Sequence, residues 1–108
     1  EAEIKAAESR LIEEKIAESA YRVALDCNGR QYGSKAFSTF LDQLEQRSIQ
    51  TLSFIIGGPL GLAAEQLEKA DEILSLSKMT FTHDMARLLL LEQLYRAYTI
   101  KAGTRYHK

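Results

Sequence analysis

The stretch L-S-L-S-K-M-T-F-T-H-D-M-A-R-L-L-L-L-E-Q-L-Y-R, residues 74–96, decides the reading of this 108-residue chain. A brief apolar run ends in a loop, Ser75-Leu76-Ser77-Lys78-Met79-Thr80-Phe81. That loop feeds directly into a long apolar helix, expected over residues 84–101. Leu88, Leu89, Leu90 and Leu91 each advance about 100° around the axis, so at one level the helix is apolar on every side. This predicts burial on every side. A chain this short does not cover such a helix alone, so one face is expected to meet a second copy, making a homodimer.

Upstream, residues 73–76 read as a third, brief strand and residues 62–71 as a short helix with Leu67 inward. Residues 51–56, T-L-S-F-I-I, read as a second strand. Its unbroken Phe-Ile-Ile end predicts burial on both faces, as in a parallel sheet. Gly57-Gly58-Pro59-Leu60-Gly61 closes that strand with a turn. Phe37, Phe40, Leu41 and Leu44 recur at helical spacing, a core-facing stripe on a helix that Ser34 is expected to cap and that frays near Arg47 and Ser48. Tyr21-Arg22-Val23-Ala24-Leu25 reads as the first strand, ended by a turn at Asp26-Cys27-Asn28-Gly29. Residues 1–19 lack Gly and Pro and are rich in helix formers. Ile4, Ala7 and Leu11, with Ile12 and Ile16 beside them, predict its apolar face.

Strands alternating with helices predict an α/β domain with a mostly parallel sheet and flanking helices. Ligands in such sheets bind beyond the carboxyl ends of the strands. Three stretches fall there: Leu25-Asp26, Gly57-Gly58, and the run Leu76 to Phe81. Loop, turn and helix together predict a ligand cleft.

Composition limits the alternatives. A 45% hydrophobic and 27% charged chain is ordinary for a soluble globular domain. No apolar run approaches the roughly 20 residues that cross a bilayer, so no membrane is expected. The acidic, amphipathic start is no signal or transit peptide, and Cys27 has no partner for an internal disulfide. A cytoplasmic protein is the default. The net charge of −1 conceals an asymmetry. From residue 78 onward Lys78, Arg87, Arg96, Lys101, Arg105 and Lys108 face only Asp84 and Glu92. That bias fits either a polyanionic partner such as RNA or a solvated surface.

The chemistry-bearing motifs exclude more than they assign. The glycine turn is neither a dinucleotide fingerprint nor a phosphate loop, because the spacing and the Gly-Lys-Ser/Thr element are wrong. His83 and His107 have no ligand partners at metal spacing, so no metal is expected. No Ser, His and Asp arrangement is legible, and Cys27 reads as a packed small residue. Tyr95 and Tyr98 read as core or interface. Tyr106, between Arg105 and His107, is an aromatic able to stack on a base.

Several blocks in order carry a resemblance: F-I-I-G-G-P-L-G-L at 54–62, L-S-L-S-K-M-T-F-x-H at 74–83, L-L-x-E-Q-L-Y-R-A at 89–97 and the terminal Y-H-K. Together they resemble the ribosomal RNA large subunit methyltransferase H family, of the SPOUT class. The similarity covers most of the chain and is densest from Thr51 onward. Thr82 stands where members usually have proline, and Leu60 where an acidic residue is common. Family chains begin with an additional strand, helix and strand, so residues 1–108 are expected to form a single SPOUT methyltransferase domain that is N-terminally truncated relative to the family.

The resemblance implies an α/β knot with a knotted C-terminal segment, a homodimer, and S-adenosylmethionine as methyl donor. It implies N3 of a pseudouridine in 23S rRNA of the assembled ribosome as acceptor. By motif match the cofactor contacts fall at Leu25, Gly57, Leu76, Ser77, Lys78, Met79, Thr80 and Phe81. Arg96, Tyr106 and His107 are the candidates on the acceptor side, and no decisive general base is legible. A sulfonium donor is already activated, so positioning is the main demand on the protein. The alternative is a non-catalytic dimeric SPOUT fragment that binds RNA or a protein partner.

Overall fold

The computed structural model describes residues 2–58 and 60–103. Its central strand, β1 (Tyr21–Gln31), turns successive side chains to opposite faces, and this alternation builds two cores. Val23 enters one cluster with Phe37, Leu41, Leu74, Leu90 and Ala97. Its neighbour Ala24 enters the other with Ile55 and Leu62. The remaining elements are α1 (Ala2–Lys15), α2 (Ser34–Gln46), β2 (Leu52–Ile55), α3 (Ala64–Lys69), β3 (Glu72–Ser75) and α4 (His83–Ala102). Helices α2 and α4 cover the Val23 face, and α1 with α3 covers the Ala24 face.

The sheet has the order β2-β1-β3 and both pairings are parallel, as the sequence predicts. Tyr21 pairs with Leu52 and Ala24 with Ile55 on one side, while Leu25 pairs with Leu74 on the other. The connection from β1 runs to one edge and the connection from β2 crosses back to the opposite edge. The handedness preference of parallel crossovers therefore puts α2 and α3 on opposite faces. Such a reversal opens a crevice at the carboxyl end of the central strand. The Phe-Ile-Ile run behaves as predicted, with Ile55 facing one cluster and Phe54 and Ile56 packed on the other.

Five expectations need correction. The first strand does not stop at Leu25. Both Leu25 and Arg30 pair with Leu74, so residues 26–29 form an insertion inside one long strand rather than a turn that ends it. The Asn28 amide donates to Asp26 Oδ2 at 3.0 Å, which stabilises the insertion locally. Ser34 does not cap α2; Gly33 holds that position, and the Ser34 hydroxyl instead donates to Gln93 Oε1 of α4 at 2.9 Å. The short helix covers Ala64–Lys69 only; Leu67 packs inward as expected, and the fully buried residue is Gln66.

The apolar face predicted for α1 is buried only in part. Ile4 and Leu11 are 57% and 56% exposed, and only Ile12 and Ile16 pack inward. Polar bonding across elements sets the orientation. Gln66 Nε2 donates to Ser9 Oγ at 2.9 Å and to Glu13 Oε1 at 3.0 Å, and the Arg22 guanidinium grips both Glu13 oxygens at 2.6 and 3.0 Å. Finally, the four leucines are not buried all round within one chain. Leu90 is 4% exposed, but Leu88 and Leu91 are 60% and 51% exposed. With Met85, Tyr95 and Tyr98 they form an outward stripe along α4 at steps of three and four residues.

Candidate functional site

The crevice at the strand ends holds a cleft of about 180 Å³. Four segments wall it. The β1 insertion contributes Leu25, Asp26 and Cys27, and the end of β2 contributes Ile56, Gly57 and Gly58. The loop after β3 contributes Leu76, Ser77, Met79, Thr80 and Phe81, and the start of α4 contributes His83 and Ala86. The lining is mainly apolar, with the Ser77 and Thr80 hydroxyls, the Asp26 carboxylate and the His83 imidazole as polar exceptions.

Local chemistry explains how each wall is held. In the glycine turn the Gly61 amide donates to the Gly58 carbonyl at 3.0 Å, closing the loop. A Cβ at Gly57 falls 2.7 Å from the Gly61 carbonyl carbon and 2.8 Å from the Leu62 nitrogen, so only glycine lets these backbone segments approach. A Cβ at Gly58 runs into the Glu8 carboxylate of α1. The loop after β3 is pinned from below: the buried Ser75 hydroxyl lies 2.9 Å from the Ser77 carbonyl and 3.2 Å from the Cys27 carbonyl. The Ser77 hydroxyl accepts from the Met79 amide at 3.0 Å, and Thr82 caps α4 by accepting from the Met85 amide at 3.3 Å. His83, the first residue of α4, lines the cleft with Nδ1 3.7 Å from Asp84 Oδ1.

Of the residues matched to cofactor contacts, Leu25, Gly57, Leu76, Ser77, Met79, Thr80 and Phe81 line this one cleft. Lys78 does not; it sits exposed on the outside of the loop. Arg96 is not brought to the cleft either. It lies thirteen residues along α4 from His83, roughly 20 Å at the helical rise, and its guanidinium binds Glu92 at 2.7 Å. Tyr106 and His107 lie outside the described residues. Sequence reasoning missed Cys27, Ile56, Gly61, Leu62, His83 and Ala86 as cleft residues. For Ile56, Gly61 and Leu62 the signal was present in the strand end and the turn itself; for the others no local pattern marks them.

Away from the cleft, two ionisable groups are strongly perturbed. Hydrogen bonds from Arg22 and then Gln66 hold the Glu13 carboxyl at about 2. Burial, followed by a hydrogen bond to Glu72, pushes the Tyr32 phenol up to about 12. Both belong to the packing of helices on the sheet. Among the described residues, no group of three His, Cys, Asp or Glu side chains is arranged to hold a metal, and no helix is long and apolar enough to cross a membrane.

Comparison with known proteins agrees with this geometry. The family described as "Predicted SPOUT methyltransferase" matches residues 1–107. Proteins named ribosomal RNA large subunit methyltransferase H are similar over nearly the whole chain. The one from Desulfotalea psychrophila is 50% identical over 101 residues, covering 94% of this chain and 66% of the relative. That from Christiangramia forsetii is 44% identical over 95% of this chain and 66% of the relative. That from Clostridium tetani is 43% identical over 100% of this chain and 68% of the relative. The chain thus spans 66% to 68% of the length of these curated relatives. With a parallel α/β sheet, a cleft at its reversal point and a family match from end to end, this chain belongs to the SPOUT methyltransferase family.

Proposed function

We propose that this chain carries the cofactor-binding core of an S-adenosylmethionine-dependent methyltransferase that acts on N3 of a pseudouridine in 23S rRNA of the assembled ribosome. The observation that carries the reading is the convergence of Leu25, Gly57 and the Leu76–Phe81 loop on a single cleft, in a chain whose relatives bear the name of that enzyme family. The Gly57 backbone, held open by the impossibility of a side chain there, suits close approach of a ligand. When bound, the cofactor supplies a methyl group already activated by its sulfonium. The chain's own part is to hold the nucleoside between Leu25, Ile56, Leu76 and Phe81 and to keep water from the cleft. Leu76, Ser77, Met79 and Thr80 offer backbone and hydroxyl groups for its polar edges, with Lys78 at the loop's outer side.

Arg96, Tyr106 and His107 are proposed to serve the acceptor. Arg96 is too far along α4 to reach the cleft of its own chain, so it acts there as the contribution of a second copy. The outward stripe of Met85, Leu88, Leu91, Tyr95 and Tyr98 supports a homodimer built on α4. The proposal includes threading of the C-terminal segment as an α/β knot and a cytoplasmic place of action.

Calorimetric titration with S-adenosylmethionine tests the cofactor reading. Saturable binding by the wild-type chain, abolished in a folded Gly57→Val variant, is the expected result. A folded wild-type chain that binds none overturns it. Transfer of labelled methyl groups to assembled ribosomes, mapped on 23S rRNA, then tests the acceptor.

A further inference from the structure

Helix α2 has two sides of different use. Ser34, Ser38, Asp42 and Glu45 tie one side to α4. Ala36, Phe40, Gln43 and Arg47 lie on the opposite side at 100° per residue, and there they line a broad open groove of about 910 Å³. Its other wall is the end of β1, with Arg30 and Gln31, and Glu72 of β3. The groove shares no lining residue with the cleft. It begins where one wall of the cleft ends, since Cys27 lines the cleft, Arg30 lines the groove, and Leu25 and Arg30 both pair with Leu74.

The groove carries a cation at each end and is neutral between. Arg30 stands at the end next to the cleft and Arg47 caps the far end of α2. The thirteen residues of α2 span about 20 Å at the helical rise. Among the described residues neither arginine forms an ion pair. Each instead lies over a ring, Arg30 at 4.9 Å from the Tyr32 centroid and Arg47 at 5.7 Å from that of Tyr21. A guanidinium stacked on a ring keeps its in-plane donors for bidentate recognition of a phosphate. The exposed amides of Gln31, Gln43 and Gln46 lie between them. The nearby acids are withdrawn. Glu72 accepts from the Tyr32 hydroxyl, and Asp42 and Glu45 engage Lys101 on the other side of the helix. In a chain of net charge −1, this local excess is not the overall composition repeated. A small anion needs converging cations, whereas two cations at the ends of a long open groove complement a chain whose charges recur along its length.

We propose that this groove binds the sugar-phosphate backbone of single-stranded ribosomal RNA, away from the nucleotide that is methylated. The inference rests on the rRNA reading above and adds a surface separate from Arg96, Tyr106 and His107. Arg30 takes the phosphates nearest the cleft, and Arg47 those farther along the strand.

The test is fluorescence anisotropy of a labelled single-stranded RNA of mixed sequence, read over a range of salt concentrations. Arg30→Gln and Arg47→Gln are each expected to lower the slope of log affinity against log salt by about 0.7. The double variant is expected to bind about tenfold more weakly at low salt, on the scale of a charge-assisted hydrogen bond. Arg10→Gln removes an exposed charge from α1 and is expected to change neither quantity. Melting curves establish that the variants are folded, and calorimetry with S-adenosylmethionine is expected to give wild-type affinity in all of them. RNA binding that the two arginine variants leave unchanged overturns the groove and leaves the rRNA reading standing. A loss that Arg10→Gln matches also overturns it, because net charge alone then accounts for binding. Arginine-dependent binding of polyglutamate in place of RNA assigns the groove to an acidic protein segment and overturns its RNA role. Folded wild-type chain that binds no RNA overturns the groove and, if ribosomes also stay unmethylated, the rRNA reading with it.

Discussion

On one face of the sheet, Phe37, Leu41, Leu90 and Ala97 close over Val23 and Leu74, and the rings of Tyr21, Tyr32, Phe37 and Phe40 pack at centroid distances of 5.2 to 6.4 Å. On the other face, Ala24, Ile55 and Leu62 share the space with a polar lattice in which Ser9, Glu13, Arg22, Glu65 and Gln66 bond to one another. The first face is held by apolar area and shape, which are non-directional. The second is held by directional bonds that specify one seating of α1 and are damaging when half broken. The glycine turn lies at the edge of the second face, against Glu8, so the polar lattice is what orients one wall of the proposed site.

The largest break in this comparison is expected from Phe37→Ala. Removing a ring that is 4% exposed should cost about 3–5 kcal/mol in urea-induced unfolding. The Phe37 ring carries no ionisable group, so that cost should be the same at pH 3 and pH 7. A loss below about 1 kcal/mol would mean that face is not the stabilising core.

Glu13→Ala should cost less, about 2–3 kcal/mol, between the values for exposed and buried pairs, because it leaves the Arg22 side chain, 12% exposed, without its partner. Here pH separates the faces. The Glu13 carboxyl is lowered on folding from 4.5 to about 2, first by the Arg22 hydrogen bond and then by Gln66. A depressed carboxyl contributes stability that is present above its unfolded value and is lost as pH falls through its folded value. The stability difference between wild type and Glu13→Gln should therefore be flat above about pH 5 and shrink toward pH 2. A difference that does not change over that range removes Glu13 from the lattice.

The smallest effect sharpens the contrast from the apolar side. Ser38 is the buried polar side chain of that face, donating to the Ala97 carbonyl of α4 at 2.9 Å. Ser38→Ala should cost about 1 kcal/mol in the same unfolding assay. A cost as large as that of Glu13→Ala would show that the two faces do not differ in kind.

The same division governs what was legible beforehand. The stripe Phe37, Phe40, Leu41 and Leu44 on α2 turns inward as its spacing predicts, with Phe40 half-buried, because Phe37, Phe40 and Leu41 meet one continuous apolar cluster. On α1 the same rule selects Ile4 and Leu11, which are exposed, along with Ile12 and Ile16, which pack inward. The contacts that seat this helix are made by Ser9 and Glu13, and periodicity in hydrophobicity does not weigh such residues. At the cleft, Leu25, Gly57 and the loop after β3 were legible because they end strands. His83 and Ala86 enter by the angle at which α4 leaves that loop, and Cys27 by an insertion within β1 that reads in sequence as a turn.

Sequence alone determined the parallel alternation, the strand ends on which a site is built, and the apolar stripe that buries α2. These follow from the local periods of strand and helix and from where glycine interrupts them. Only the tertiary structure decided which side of α1 faces inward and how the β1 insertion meets the loop after β3. The reason is physical: those features rest on directional bonds between residues far apart in the chain, Ser9 with Gln66 and Ser75 with Cys27. Neither partner's own neighbourhood carries a sign of the other.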